Sequence, residues 1–176
     1  MILSIYLTTL FIACCIQIVF FIFAALFKTD VVTDLSYGLT FIALAWYGFF
    51  IQDNLQLHQV ILIGLITAWG ARLATYLFIR ILTIKKDARF DGTREKFWKF
   101  LQFWSLQAVS VWIIMLPSIA IIGDTTSRTF TPAAIIGVVI FCLGLALETI
   151  ADWQKFEFKT KPSNIHKLIM SGVWRY

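Results

Sequence analysis

Near the C-terminus the sequence reads ALETIADWQKFEFKTKPSNIHKLIMSGVWRY, which sets Glu148 and Asp152 four residues apart at the end of a long apolar run. On a helix that spacing puts both carboxylates on one face, where they repel unless a cation, a proton or a donor-rich ligand compensates. Lys155 and Lys159 continue the same face. The matching cations are Arg72, inside TAWGARLATYLFIR, and Arg80, eight residues further on and close to two helical turns away. Charges inside apolar segments are costly and mark either function or a buried pair. Counted from the outer span ends, Arg72 lies roughly 20 Å deep and Glu148 roughly 24 Å. Two readings stay open. The arginine face and the carboxylate face form an interhelical salt bridge with snorkelling lysines, or they line a polar pocket open to the cytoplasm.

Other reactive side chains do not assemble into a motif. His58 and His166 are isolated, and no HExxH or Cys/His cluster accompanies them, so no metal site is expected. Cys14, Cys15 and Cys142 fall inside apolar runs and read as buried free thiols. There is no GxGxxG, phosphate-binding glycine loop or GxSxG, and no catalytic residue can be assigned. Pro162-Ser163-Asn164 should break the helix that carries Glu148 and place Asn164 in a turn.

The elements that must hold these residues are set by composition. Of 176 residues, 60% are hydrophobic and only 14% charged, and the mean hydropathy is +0.82. A soluble domain carries about a quarter charged residues, so this is a membrane protein. Five stretches are long and apolar enough to span, at about 3–27, 35–51, 59–82, 101–122 and 132–151. The expected fold is therefore an all-α, polytopic transmembrane bundle forming a single membrane domain. Its first run lacks a basic leader and is longer than a signal-peptide core, so it reads as the first span.

Net charge is +5, but the cations gather between and after the apolar runs, which argues for topology and against nucleic-acid binding. The 83–100 loop and the 152–176 tail should both be cytoplasmic, leaving the N-terminus outside. The loop, TIKKDARFDGTREKFWKF, interleaves Phe90, Phe97, Trp98 and Phe100 with basic side chains. It suits either a segment lying on anionic headgroups or a solvated positive loop. Pro117 within the fourth span should kink its helix.

Several stretches, in order, resemble the steroid 5-alpha-reductase-like membrane family, closest to its uncharacterised, largely bacterial branch. They are DLSYGLTF, TAWGARLATYLFIR, DARFDGTREKFWKFLQFWSLQ, MLPSIAII and LETIADWQKFEFKTKPSNIHKLIMSGVWRY. The resemblance implies a multi-pass protein of a bacterial cytoplasmic or endoplasmic-reticulum-type membrane, surrounded by membrane lipids. It implies an NADPH-dependent oxidoreductase acting on a carbon–carbon double bond conjugated to a carbonyl in a steroid- or lipid-like substrate. By matching position it assigns cofactor contacts to Glu148, Asp152 and Lys159, to Arg72 and Arg80, and to Asn164, Trp174, Arg175 and Tyr176. Carboxylates would accept from ribose or adenine, and cations would offset phosphate charge.

The sequence also departs from that family. Relatives continue past the GVWRY element into an Arg-His-Pro-Asn-Tyr-x-Gly-Glu signature and further helices, whereas this sequence stops at Tyr176. The expectation is an N-terminal portion, inactive alone, that binds NADPH weakly or not at all. Trp69 stands near where an aromatic hydroxyl is expected. Two other readings compete: a membrane methyltransferase resembling the isoprenylcysteine carboxyl methyltransferases, using S-adenosylmethionine, and a non-enzymatic membrane protein that binds lipid or a partner.

Overall fold

A computed structural model describes residues 2–85, 87–126, 129–164 and 167–175. Among them the regular structure is all helical: α1 (Ile2–Phe27), α2 (Thr33–Ile51), α3 (Leu57–Ile84), α4 (Phe97–Ile122) and α5 (Pro132–Thr160), with three short 3₁₀ turns. All five long helices have the length and composition to cross a membrane, as expected for an integral multi-pass membrane protein. Helix α4 begins four residues before the expected span and α5 runs nine residues past it. A span ends where apolar sequence ends, whereas a helix continues while its backbone bonds are satisfied. The chain divides into two compact units, Met1–Arg128 and Thr129–Tyr176.

In the first unit α2 is central, packed against α3 on one side and against α1 and α4 on the other, while α1 and α4 also pack together. Short connections make sequential helices antiparallel. Helix α1 is apolar nearly all round, yet it buries one stripe, Thr9, Ala13, Gln17, Phe21 and Ala24, spaced by a helical turn. Leu3, Leu7, Phe11, Val19 and Leu26 remain exposed on its other sides, as lipid-facing positions are. Helix α4 answers with Phe100, Trp104, Val111, Met115, Ile119 and Ile122 at the same spacing.

Lipid tails are as apolar as leucine, so close packing and polar pairs must hold such helices together. Both are present. At Gly38 of α2 an added Cβ would lie 2.7 Å from the Ala74 Cβ and 2.9 Å from the Gly70 carbonyl oxygen, so α2 and α3 approach backbone to backbone. Deeper in the bundle, Gln107 of α4 donates to the Gln17 side-chain oxygen at 3.0 Å, the Ser36 hydroxyl at 3.0 Å and the Thr33 carbonyl at 3.1 Å. Gln17 of α1 donates to the Thr40 hydroxyl at 2.8 Å. Three helices thus share one buried polar knot.

At the end of the bundle opposite the 83–100 loop, glutamines close the last turn of α4. Gln59 donates to the carbonyls of Ile122 at 3.0 Å and Asp124 at 2.8 Å, and Gln52 donates to Ile122 at 3.1 Å. The Gln59 oxygen meanwhile accepts from the backbone N–H of Gln56, capping α3. One side chain therefore serves two helix ends, whose backbone groups would otherwise be unpaired.

Candidate functional site

The loop between α3 and α4 is a folded structure organised by aspartates. Helix α1 stops at Lys28, in the left-handed region at φ 49°, and the chain turns through Asp30, which is 4% exposed. Across from it, Asp87 opens the 3₁₀ turn Ala88–Phe90, its carboxylate accepting from the Arg89 backbone at 3.0 Å. The Asp87 backbone N–H donates to Asp30 at 2.7 Å. Arg94, 7% exposed, then fastens both sides. It pairs with Asp30 at 3.4 Å and donates to the Asp87 carbonyl at 2.8 Å and to Asp91 at 3.2 Å.

A second layer lies nearer the surface. Arg89 donates to one Asp87 oxygen from Nε at 3.0 Å and from Nη2 at 2.7 Å. Arg80 reaches the same oxygen at 3.4 Å and Asp34 at 4.0 Å, and Arg89 lies 3.5 Å from Asp34. The side-chain bonds from Arg89 hold the Asp87 carboxyl below the usual range, outweighing its burial, and the same bonds raise the Arg89 pKa. Four aspartates against three arginines leave no excess positive charge here for an anion. The cluster's evident role is to fasten the loop onto the α1–α2 turn.

Of the loop's rings, Phe90 and Phe100 are buried. Phe90 meets Phe103 at 4.8 Å between centroids and Phe100 at 6.4 Å. Phe97 and Trp98 remain exposed. Neither sequence expectation for the loop describes it whole: its first half is a packed, ion-paired structure, and only the start of α4 presents rings outward. Sequence reasoning passed over Asp30, Asp34, Asp87, Arg89 and Arg94 as site-builders. The available signal was the acid in DARFDGTRE, where Asp87, Asp91 and Glu95 recur every four residues among the cations.

The sequence-predicted cofactor residues divide between the two units. In the first, Arg80 is engaged as above, and the Arg72 guanidinium lies 5.5 Å from the centroid of the Tyr76 ring, one turn on. Trp69 packs its ring on Phe41 at 4.9 Å, within the apolar core. In the second unit, Thr131 caps α5 by accepting from Ala134, and Pro132 occupies its first turn. The helix ends at Thr160, and Pro162–Asn164 forms a 3₁₀ turn, as the Pro-Ser-Asn sequence predicts.

The segment after that turn folds back onto α5. Lys159 donates to the carbonyls of Lys167 at 2.8 Å and Asn164 at 3.5 Å, closing the turn. Gly172, at φ 61°, leads into the turn Gly172–Arg175, and a Cβ there would collide with the Gln154 amide. The Gln154 oxygen accepts from the Val173 backbone at 3.0 Å. The Trp174 indole donates to the Ala151 carbonyl at 2.8 Å, and the Lys155 ammonium sits 5.2 Å from its ring centroid. These bonds bring Asn164 and Trp174 back against the C-terminal half of α5, which also carries Glu148, Asp152, Lys155 and Lys159, and Arg175 follows Trp174 in the same turn. Tyr176, like His166, lies outside the described residues.

This grouping carries two carboxylates, two ammonium groups and an indole face along about three turns of helix. Hydrogen-bond acceptors, cations and a flat ring thus lie along one stretch of helix. Comparison with curated proteins and with solved structures finds no match. The family described as "Protein of unknown function (DUF1295)" matches residues 20–176. That range takes in the last two turns of α1, the whole aspartate-fastened loop and the folded-back end of α5, and the chain belongs to this family.

Proposed function

We propose that the protein is a membrane reductase of the steroid 5-alpha-reductase-like type, with its nucleotide contacts at the Lys159 end of α5. The observation that carries this reading is the folded-back segment: it sets Trp174 beside Lys155 and on the turn above Gln154. Asp152 and Glu148 lie about one and about two turns from Lys155 along the same helix. The resemblance of LETIADWQKFEFKTKPSNIHKLIMSGVWRY to that family supports the same placement.

In this reading Glu148 and Asp152 accept from ribose or adenine, and Lys155 and Lys159 face phosphate charge. Asn164 and Arg175 add polar contacts, and Trp174 supplies a ring to stack on. Arg72 and Arg80 belong to the same assignment by resemblance, as does Tyr176. NADPH, when bound, would supply a hydride for a carbon–carbon double bond conjugated to a carbonyl. The apolar surroundings suit a steroid- or lipid-like substrate that enters from the bilayer.

The test is NADPH oxidation by the protein as its gene encodes it, reconstituted in nanodiscs and offered conjugated enone lipids. The expected result is oxidation that depends on both substrate and Glu148. Methyl transfer from S-adenosylmethionine, with no NADPH oxidation across enone lipids of varied chain length, would replace this reading with the methyltransferase one.

A further inference from the structure

The cations at the loop end fall into two chemical groups. Every described arginine there, Arg80, Arg89 and Arg94, is tied to aspartate. Lys28, Lys96 and Lys99 are all exposed, and none of them forms an ion pair among the described residues. Two of these lysines bracket a pair of exposed rings at the start of α4: Trp98 is 77% exposed and Phe97 54%. The third belongs to the neighbouring helix end, because Phe97 lies 5.6 Å from Phe21 of α1 between ring centroids. There Leu26 and Phe27, 74% and 68% exposed, precede Lys28. The ends of α1 and α4 thus form one rim of apolar side chains topped by three ammonium groups. Among the described residues Glu95 is the acid that flanks Lys96, leaving an excess of two positive charges over the three lysines.

We propose that this rim is a docking surface for the headgroups of anionic phospholipids, with Trp98, Phe97, Phe27 and Leu26 set at the level of the acyl boundary. Charge complementarity selects this occupant. A ring and a lysine side by side match an interface that is apolar below and anionic above. The first turn of α4 contains no acidic residue, and its boundary residue Lys96 makes no side-chain cap. Lys96 and Lys99 therefore sit at the unfavourable end of a helix dipole, a cost that a negative surface offsets. The aspartate-fastened loop holds the two helix ends in register, so the rim is built by the fold. This inference rests on membrane insertion and stands independently of the reductase reading.

The test uses the full chain in phosphatidylcholine vesicles containing a minority of phosphatidylglycerol. Electron spin resonance of spin-labelled phosphatidylglycerol and of spin-labelled phosphatidylcholine gives the preference of the protein-contacting shell. The unaltered protein should prefer phosphatidylglycerol. The variant K28Q/K96Q/K99Q should lower that preference about two- to fivefold, while K28R/K96R/K99R should keep it. A preference unchanged by the glutamine variant would overturn the proposal, and so would its loss in K161Q/K167Q instead. Displacement by inorganic phosphate would point to a free-anion site and would also overturn it. Thermal melting of each variant checks folding, and K99Q alone, which should show a partial loss, serves if the triple variant fails to insert.

Discussion

Arg94 is buried against Asp30 and holds the loop through the Asp87 carbonyl. Removing one partner of a buried pair strands the other, so Arg94→Ala should cost about 3–5 kcal/mol. Asp30→Asn combined with Arg94→Gln should cost less than the sum of the single changes. Melting in detergent, run as a double-mutant cycle, reads both; strict additivity would mean that the two side chains do not interact. Asp87 predicts a pH dependence. Its folded pKa is depressed, chiefly by the Arg89 side-chain bonds, so its contribution is fully present above the unfolded value of about 3.9. That contribution is lost as pH falls through the lower folded value. Asp87→Asn should therefore be less stable than the parent at neutral pH, and the difference should shrink below about pH 4. The sequence shows these residues but hides their roles. A count of cations predicts the side of the membrane, whereas the pairing of Arg94 with Asp30 is a contact across more than sixty positions that no local spacing encodes.

Helices are the best-read level, since twenty apolar residues in lipid have few alternatives to forming one. Their ends are read less well: α4 starts at Phe97 and α5 continues to Thr160, both beyond the apolar runs. What sets the neighbours is subtler. Gly38, Gly70 and Ala74 let α2 and α3 approach closely, and a short polar stripe of Gln17, Ser36, Thr40 and Gln107 joins α1, α2 and α4. In sequence these residues look like minor interruptions of apolar runs. Gly38→Val should destabilise by about 1–3 kcal/mol, because its added carbons meet backbone as well as side chain. A melting temperature equal to the parent's would show that α2 and α3 can separate at little cost. Gly172→Val should release the 172–175 turn from α5, since the new side chain would occupy the place of the Gln154 amide. The expected readout is faster proteolysis within the tail at an unchanged melting temperature for the first unit.

For the whole molecule, the cation distribution predicts an outside N-terminus with the 83–100 loop and the tail on the cytoplasmic side. Reporter fusions after Asn54 and after Asp91 should therefore report opposite sides, and agreement between them would remove α3 as a span. The five helices and the break at Pro162 could be read from sequence because apolar length and proline act locally. The fold-back of Trp174 onto Ala151 could not, because it depends on Gly172 adopting a left-handed turn and on Gln154 lying beneath it. In the proposed reading that fold-back turns a charged stretch of helix into a nucleotide site, with NADPH held at the Lys159 end of α5. Equilibrium titration of NADPH into the gene-encoded protein in nanodiscs tests it most directly. Binding should be saturable, and Glu148→Gln and Lys159→Gln should each weaken it by roughly tenfold or more, the loss of one charge-assisted hydrogen bond. Binding that both variants leave unchanged, or no binding of NADPH at all, would contradict it.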